Sequence, residues 1–240
     1  MVKIAKLKKG LSVVVPVYNE EKILEKNMKV LGDHLKKLKI DYEIILSENG
    51  STDRSREICK RLCKKNNFSC IFSNAPSFGA SIRAGTSKAR YDKVVLFPVD
   101  LWGMDYFKEA LKKIKDYDVV YGSRYVKKGR QERPLHRVMV SIIHTRLVNL
   151  ILETKYTDID GIKMYRTGVG KKVLAKTSSN SAFIEVEIGA IIKNSGIMYA
   201  EVPIEHKEPR TRHPKYIIKI VFQGMYELIA NYGRLRKMRI

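Results

Sequence analysis

The polar residues that close the apolar runs of this 240-residue chain are the ones equipped for chemistry. Asp100 ends the run KVVLFPVD, two positions after Pro98. A carboxylate at a strand tip can hold Mg²⁺ or Mn²⁺ when phosphate oxygens supply the other ligands. The same residue can also cap a turn. Tyr18 and Glu20 follow the run LSVVVPV in the same way, with Pro16 inside its end. Tyr18 offers a ring face and Glu20 an acceptor, although an acid here also suits the start of a helix. Glu48 and Asn49 follow YEIIL. Between Arg124 and Arg137 lie six Lys or Arg, both ends included, and one acid, Glu132. Guanidinium forks at Arg124 and Arg137 match phosphate oxygens. Lys127, Lys128 and Arg130 read as a solvated loop. Asp158 and Asp160, in TDIDG, either orient a ligand or shape a turn.

These residues need a scaffold, and the pattern of the first half supplies one. LSVVVPV (11–17) is a continuous β-branched run, as expected of a strand buried on both faces. Leu24, Met28, Leu31, Leu35 and Leu38 then recur at helical spacing. YEIIL (42–46) predicts a second strand that runs into a polar turn, SENGSTD (47–53), with Ser51, Thr52 and Asp53 as caps. SCIFS (69–73), the small-residue helix GASIRAGTSKA (79–89) and KVVLF (93–97) complete the alternation. Strand and helix in turn predict right-handed crossovers and a mostly parallel sheet. In such sheets ligands sit beyond the carboxyl ends of the strands, where the residues above are placed.

Composition narrows the function classes. Lys and Arg number 47 against 25 Asp and Glu, a net charge of +22. That surface attracts polyanions: nucleic acid, an acidic membrane face or phosphorylated substrates. A lysine-rich background produces the same balance. No nucleic-acid motif accompanies the charge, so no specific nucleic-acid partner is expected. The glycine fingerprints of dinucleotide folds and P-loops are missing, and the five histidines are scattered. Cys59, Cys63 and Cys70 are too few and too close for a disulfide framework and read as reduced, which favours the cytosol. No signal peptide is expected. Nor is a transmembrane helix, the best window (216–233) being broken by Lys219, Gln223 and Glu227. RVMVSIIHTRLVNLIL (137–152), apolar almost all round, reads either as core or as a helix lying at an anionic interface. The basic cluster Arg234, Arg236, Lys237 and Arg239 closes an amphipathic helix over about 214–240.

Several segments resemble the family 2 glycosyltransferases. VVVPVYNEEKIL resembles their opening strand, SENGSTDRS their DDGSTD turn, and SFGASIRAGTSKARYDKVVLFPVDL their small-residue helix and metal-binding strand. YGSRYVKKG, RVMVS, YTDIDGIKMYR, AFIEVEI and AEVPI resemble, in order, motifs of the dolichyl-phosphate mannosyltransferase group. The resemblance spans about residues 11–215 and implies a GT-A α/β fold in one domain. Residues 11–103 would be its nucleotide-sugar half and 104–215 its acceptor half. It implies that Pro16, Tyr18, Glu20, Glu48 and Asn49 hold the nucleoside, and that Arg210 and Lys215 close over the donor phosphates. Asp100 would be the metal ligand, and Arg124, Arg137 and Ser141 would grip the acceptor phosphate. Pro98 and Glu48–Asn49 depart from the family pattern, which has D-x-D at 98–100 and two aspartates at 48–49. The implied activity is inverting transfer of mannose or glucose from a nucleotide sugar to a polyprenyl phosphate, with the enzyme peripheral on the cytoplasmic membrane face. Two other readings are a transferase with a soluble or glycan acceptor and a catalytically degenerate nucleotide-sugar-binding protein.

Overall fold

The computed structural model describes residues 7–100, 103–207, 224 and 226–240. Trp102, Arg210, Lys215 and the first part of the expected 214–240 helix fall outside them. The chain divides into two compact units, one of Met1–Leu101 with Met164–Lys171, the other of Trp102–Lys163 with Lys172–Ile240.

In the first unit, strands β1 (Lys8–Val17), β2 (Tyr42–Asn49), β3 (Phe68–Ser73) and β4 (Tyr91–Leu96) alternate with helices α1 (Leu24–Lys37), α2 (Ser55–Leu62) and α3 (Phe78–Lys88). The strand order is β3-β2-β1-β4, and β1 pairs parallel with both β2 and β4. Its Val13, Val14, Val15 and Val17 are fully buried, as the β-branched run predicts. Helix α1 buries Leu24, Met28, Leu31 and Leu35, the predicted stripe. Each such side chain contributes about 1.5–3 kcal/mol. Helix α3 packs so close to β1 that a Cβ on Gly85 would meet Val14 Cγ1. The small residues of α3 permit that approach.

The second unit holds α4 (Tyr106–Lys113), β5 (Val119–Ser123), β6 (Arg130–Glu132) and α5 (Leu135–Leu152), followed after β7 (Lys163–Arg166) and α6 (Thr167–Ala175) by α7 (Ile184–Asn194), β8 (Tyr199–Pro203), β9 (Glu205–Lys207) and α8 (Tyr232–Leu235). Strands β5 and β8 pair in parallel, as do β6 and β9. Tyr121, Tyr156 and Tyr199 form a ring cluster with centroids 4.8–5.8 Å apart. Glu187 is fully buried on α7. Its carboxylate accepts from the backbone N–H of Ser178 and Ser179, both at 2.9 Å, and pairs with Arg234 at 2.6 Å.

Three expectations need correction. β2 does not end at Leu46: Ser47, Glu48 and Asn49 continue the ladder against Ile71, Phe72 and Ser73. Their side chains find hydrogen-bond partners, so burial there needs no apolar residue. Cys63 and Cys70 are not both free thiols; they form a disulfide, with Cα atoms 6.0 Å apart, between the end of α2 and β3. Cys59 stays free and buried. Helix α5 has 18 residues and a mean hydropathy of 1.3, so by length and composition it can cross a membrane. Only Thr145, Val148 and Leu152 on it are buried.

Candidate active site

The first unit concentrates its polar residues at a topological switch. From β1 the chain moves to β2 and β3 on one side, then returns to β4 on the other. The crevice outside the carboxyl ends of β1 and β4 is where an open parallel sheet accepts a ligand. Tyr18, Asn19 and Glu20 leave β1 there. Asn19 sits in the left-handed region (φ 54°), and Tyr18 is exposed. The backbone N–H of Asn19 donates to Ser51 Oγ (3.1 Å), and Asn19 Oδ1 accepts from Thr52 N–H (2.8 Å). Glu20 N–H donates to Ser55 Oγ (2.7 Å) and Glu21 N–H to Asp53 Oδ2 (3.1 Å). The loops after β1 and β2 are thus laced together.

Glu48 and Asn49 face inward at the end of β2. Glu48 Oε1 accepts from Ser51 N–H at 2.6 Å, and Oε2 lies 3.7 Å from Arg56 Nε. Asn49 Oδ1 accepts from Ser77 N–H at 2.6 Å. Ser77 in turn caps α3 by accepting from Ala80 N–H. Gly50 turns the chain at φ +69°, against the backbone of Ala75. Pro16 is paired within β1 opposite Ser47.

Asp100 follows β4, and Asn27 of α1 donates to the adjacent Val99 carbonyl at 2.9 Å, which fixes the turn. Asp100 Oδ1 is buried. Among the described residues no three His, Cys, Asp or Glu side chains cluster to hold a metal ion. What the chain offers is one carboxylate at a strand tip, the donor set that suits a cation whose other ligands are phosphate oxygens and water.

The second unit holds the cationic cluster. Arg124 leaves β5 only 7 % exposed and is clamped by Asp158: Nε to Oδ2 and Nη2 to Oδ1, both 2.6 Å, plus its own N–H to Oδ2 at 3.1 Å. Burial opposes its charge, but the Asp158 carboxylate more than compensates and holds the guanidinium above its ordinary value. Arg133 donates to Tyr125 Oη (2.6 Å), Gln131 Oε1 (2.7 Å) and Ser141 Oγ (3.3 Å). Arg137 and Ser141 lie four residues apart on α5 and so share a face. His206 of β9 is buried here. Burial, then repulsion from Arg124, Arg133 and Arg137, pushes its pKa down to about 3. His144 lies 3.7 Å from Asp160. Burial disfavours charge on each, yet their mutual attraction lowers Asp160 to about 2 and raises His144. The Asp160 side chain is 41 % exposed, so screening trims the size of that effect but not its direction. Lys163 is buried and donates to the Ile159 and Gly161 carbonyls and to Glu185, bracing the loop that bears Asp158 and Asp160.

Sequence reading places Arg124, Arg137 and Ser141 in one neighbourhood, and the structure gathers them in one unit. It misses Arg133 and His206. Arg133 enters the sequence reading only as one of the six Lys or Arg of 124–137, and His206 reaches the cluster through the pairing of β9 with β6. Among the described residues that pairing joins segments some 75 positions apart, with no local signal in the sequence.

The chain is similar to several known proteins. The chain is 27 % identical over 203 residues to glycosyltransferase AglD of Haloferax volcanii, covering 81 % of this chain and 32 % of AglD. It is 28 % identical over 223 residues to dolichyl-phosphate beta-glucosyltransferase ALG5A of Trichomonas vaginalis, covering 82 % of this chain and 66 % of that protein. It is 27 % identical over 231 residues to an undecaprenyl-phosphate 4-deoxy-4-formamido-L-arabinose transferase of Edwardsiella ictaluri, covering 92 % and 67 %. The chain therefore spans about a third to two thirds of the length of these relatives. Glucosyl-3-phosphoglycerate synthase of Mycobacterium tuberculosis, solved with Mn²⁺, UDP and its product, aligns with a TM-score of 0.67 at 15 % identity, over 94 % of this chain and 80 % of that one. That likeness identifies the GT-A fold. The family described as glycosyl transferase family 2 matches residues 12–174, well over half of the sequence, and the chain belongs to it.

Proposed function

We propose that this glycosyltransferase moves a hexose, mannose or glucose, from a nucleotide sugar to a polyprenyl phosphate while resting on a membrane surface. The observation behind the acceptor is α5. Its first turns present Arg137 and Ser141 beside Arg133, while Leu135, Met139, Ile143 and Leu150 along it are exposed. An anionic head and a hydrocarbon tail on one molecule match that sequence of surfaces. The relatives named for dolichyl and undecaprenyl phosphate support the same class.

In this reading the first unit takes the donor nucleoside through Pro16, Tyr18 and Glu20 with Glu48 and Asn49; Arg210 and Lys215, outside the described residues, are assigned to the donor phosphates by the family resemblance alone. Asp100 would hold the divalent cation that offsets charge on the leaving diphosphate. The second unit takes the acceptor through Arg137, Ser141 and Arg133, with Arg124 fixed by Asp158 as a positioning group. A phosphate oxygen of the acceptor attacks the anomeric carbon, and the C–O bond to the nucleoside diphosphate breaks with its electron pair. The anomeric centre inverts. The nucleophile is already anionic, so no general base is required. Orientation of the two reactants supplies much of the rate, and cations facing the diphosphate supply the remainder.

The test is incubation with labelled GDP-mannose or UDP-glucose and dolichyl phosphate, with and without chelator. An organic-extractable, mild-acid-labile product is expected. No lipid product with any common donor overturns the proposal. Asp100→Asn should lower kcat on the order of 100-fold or more with the fold intact. A fully active, chelator-insensitive Asp100→Asn enzyme would remove Asp100 from the metal role.

A further inference from the structure

A second cationic feature lies apart from the arginine cluster. A cavity of about 600 Å³ in the second unit is lined by Lys193, Asn194, Arg236, Lys237 and Arg239. It shares no residue with the cluster at the start of α5. Arg137 and Glu153 stand sixteen residues apart, a helical rise of roughly 24 Å. The cavity lies by the Glu153 end, because Lys193 Nζ is 3.7 Å from that carboxylate.

The cations are held on a frame, not on a loose tail. Asn194 Nδ2 donates to the carbonyls of Leu235 (2.8 Å) and Met238 (3.1 Å). Ile240 N–H donates to Ser195 Oγ (3.0 Å), and Arg234 is clipped to buried Glu187. Arg236 lies over the Tyr232 ring and donates to its hydroxyl at 3.0 Å. Among the described residues no carboxylate lines the cavity. Among the described residues Lys237 and Arg239 have no ion pair, and the one carboxylate near Lys193 is largely solvated. Four like charges fixed around one space repel, and an anion bound among them relieves that cost. Lysine and arginine together suit a phosphate, the arginines by their fork and the lysines as point charges.

The surroundings select the form of that phosphate. Leu150, one turn before Glu153, is 76 % exposed, and Tyr232 and Ile240 are also exposed. Cations interleaved with exposed apolar and aromatic side chains compose a membrane-interface surface. We propose that this cavity seats the phosphate-bearing headgroup of an anionic phospholipid and fixes the second end of α5 to the membrane. The proposal deepens the membrane part of the reading above, yet stands on a separate set of residues.

The test measures co-sedimentation of the full chain with phosphatidylcholine vesicles, with and without phosphatidylglycerol. The variants are Lys237→Gln/Arg239→Gln and, as a charge-matched control, Lys60→Gln/Lys64→Gln. Binding to the anionic vesicles should weaken about fivefold per cation removed from the cavity, roughly 25-fold for the pair. The control should stay within about twofold, and transfer to detergent-dispersed acceptor should be unchanged in both. Equal weakening by both pairs would show diffuse attraction and overturn the site. Calorimetric binding of inorganic phosphate that Lys237→Gln/Arg239→Gln abolishes, with vesicle binding unaffected, would assign the cavity to a soluble anion and overturn the lipid. Vesicle binding needs no donor or acceptor, so a failure to detect transfer leaves this measurement intact.

Discussion

Replacing Asp158 by Asn tests whether the Arg124 clamp organises the second unit. The carboxylate receives two 2.6 Å guanidinium bonds and the Arg124 N–H, with the arginine 7 % exposed. The amide keeps the shape, but it removes the charge and turns one acceptor into a donor facing another donor. A charge left buried without its partner costs about 3–5 kcal/mol. The retained carbonyl places Asp158→Asn at the lower end, about 3 kcal/mol. At roughly 2–4 °C per kcal/mol for a chain of this size, the expected fall in Tm is about 6–12 °C. Urea denaturation should show the midpoint falling with an unchanged m-value. The double variant Arg124→Met/Asp158→Leu should recover most of the loss, because no charge is then buried. A loss below about 1 kcal/mol for Asp158→Asn would refute the reasoning and reduce the clamp to a solvent-screened pair.

Other outcomes follow from the same geometry. Arg137→Ala should raise the acceptor KM with little change in donor KM or stability; an unchanged acceptor KM and rate would remove it from the phosphate site. His206 is neutral in the fold, with a pKa near 3 against 6.5 in the unfolded chain, so its contribution is complete above 6.5 and is lost as pH falls toward 3. Between pH 6.5 and 5 that loss is at most about 2 kcal/mol, and His206→Gln should flatten the stability profile by that difference. His144, raised by Asp160, acts in a different window: its contribution is present below 6.5 and is lost as pH rises above it. Gly85→Ala should cost about 1–3 kcal/mol by thermal denaturation through overpacking against Val14, with partial rescue by Val14→Ala. No rescue would place the strain elsewhere.

The sequence discloses what is periodic and hides what is satisfied by polar contact. The β-branched run of β1 and the leucine stripe of α1 are visible because burial there is purely apolar. The last three residues of β2 are buried too, but through hydrogen bonds that hydropathy does not register: Ser47 Oγ donates to the Ser81 carbonyl, Glu48 accepts from Ser51 N–H and Asn49 accepts from Ser77 N–H. The Cys63–Cys70 pair is invisible to a count of three cysteines, because it depends on how the α2–β3 turn brings two Cα atoms together. Helix α5 was legible as an apolar segment. Its exposure was not, since the sequence does not say which neighbours cover it. The candidate site divides likewise: strand tips follow from topology, whereas the company of His206 follows from a strand pairing with no local signature.

The lacing of Asn19, Glu20 and Glu21 to Ser51, Thr52, Asp53 and Ser55 has a consequence for redesign. The two loops at the crevice form one mechanical part. Exchanging the 18–21 loop alone for that of another transferase would remove the Asn19 and Glu21 side chains that accept from the N–H groups of Thr52 and Arg54, and would leave those donors without their acceptors. Exchanging residues 18–21 and 48–56 together keeps each donor with its acceptor. Variation at one loop is therefore constrained by what stands on the other, and if the proposed donor site is right, so is any change of donor made there.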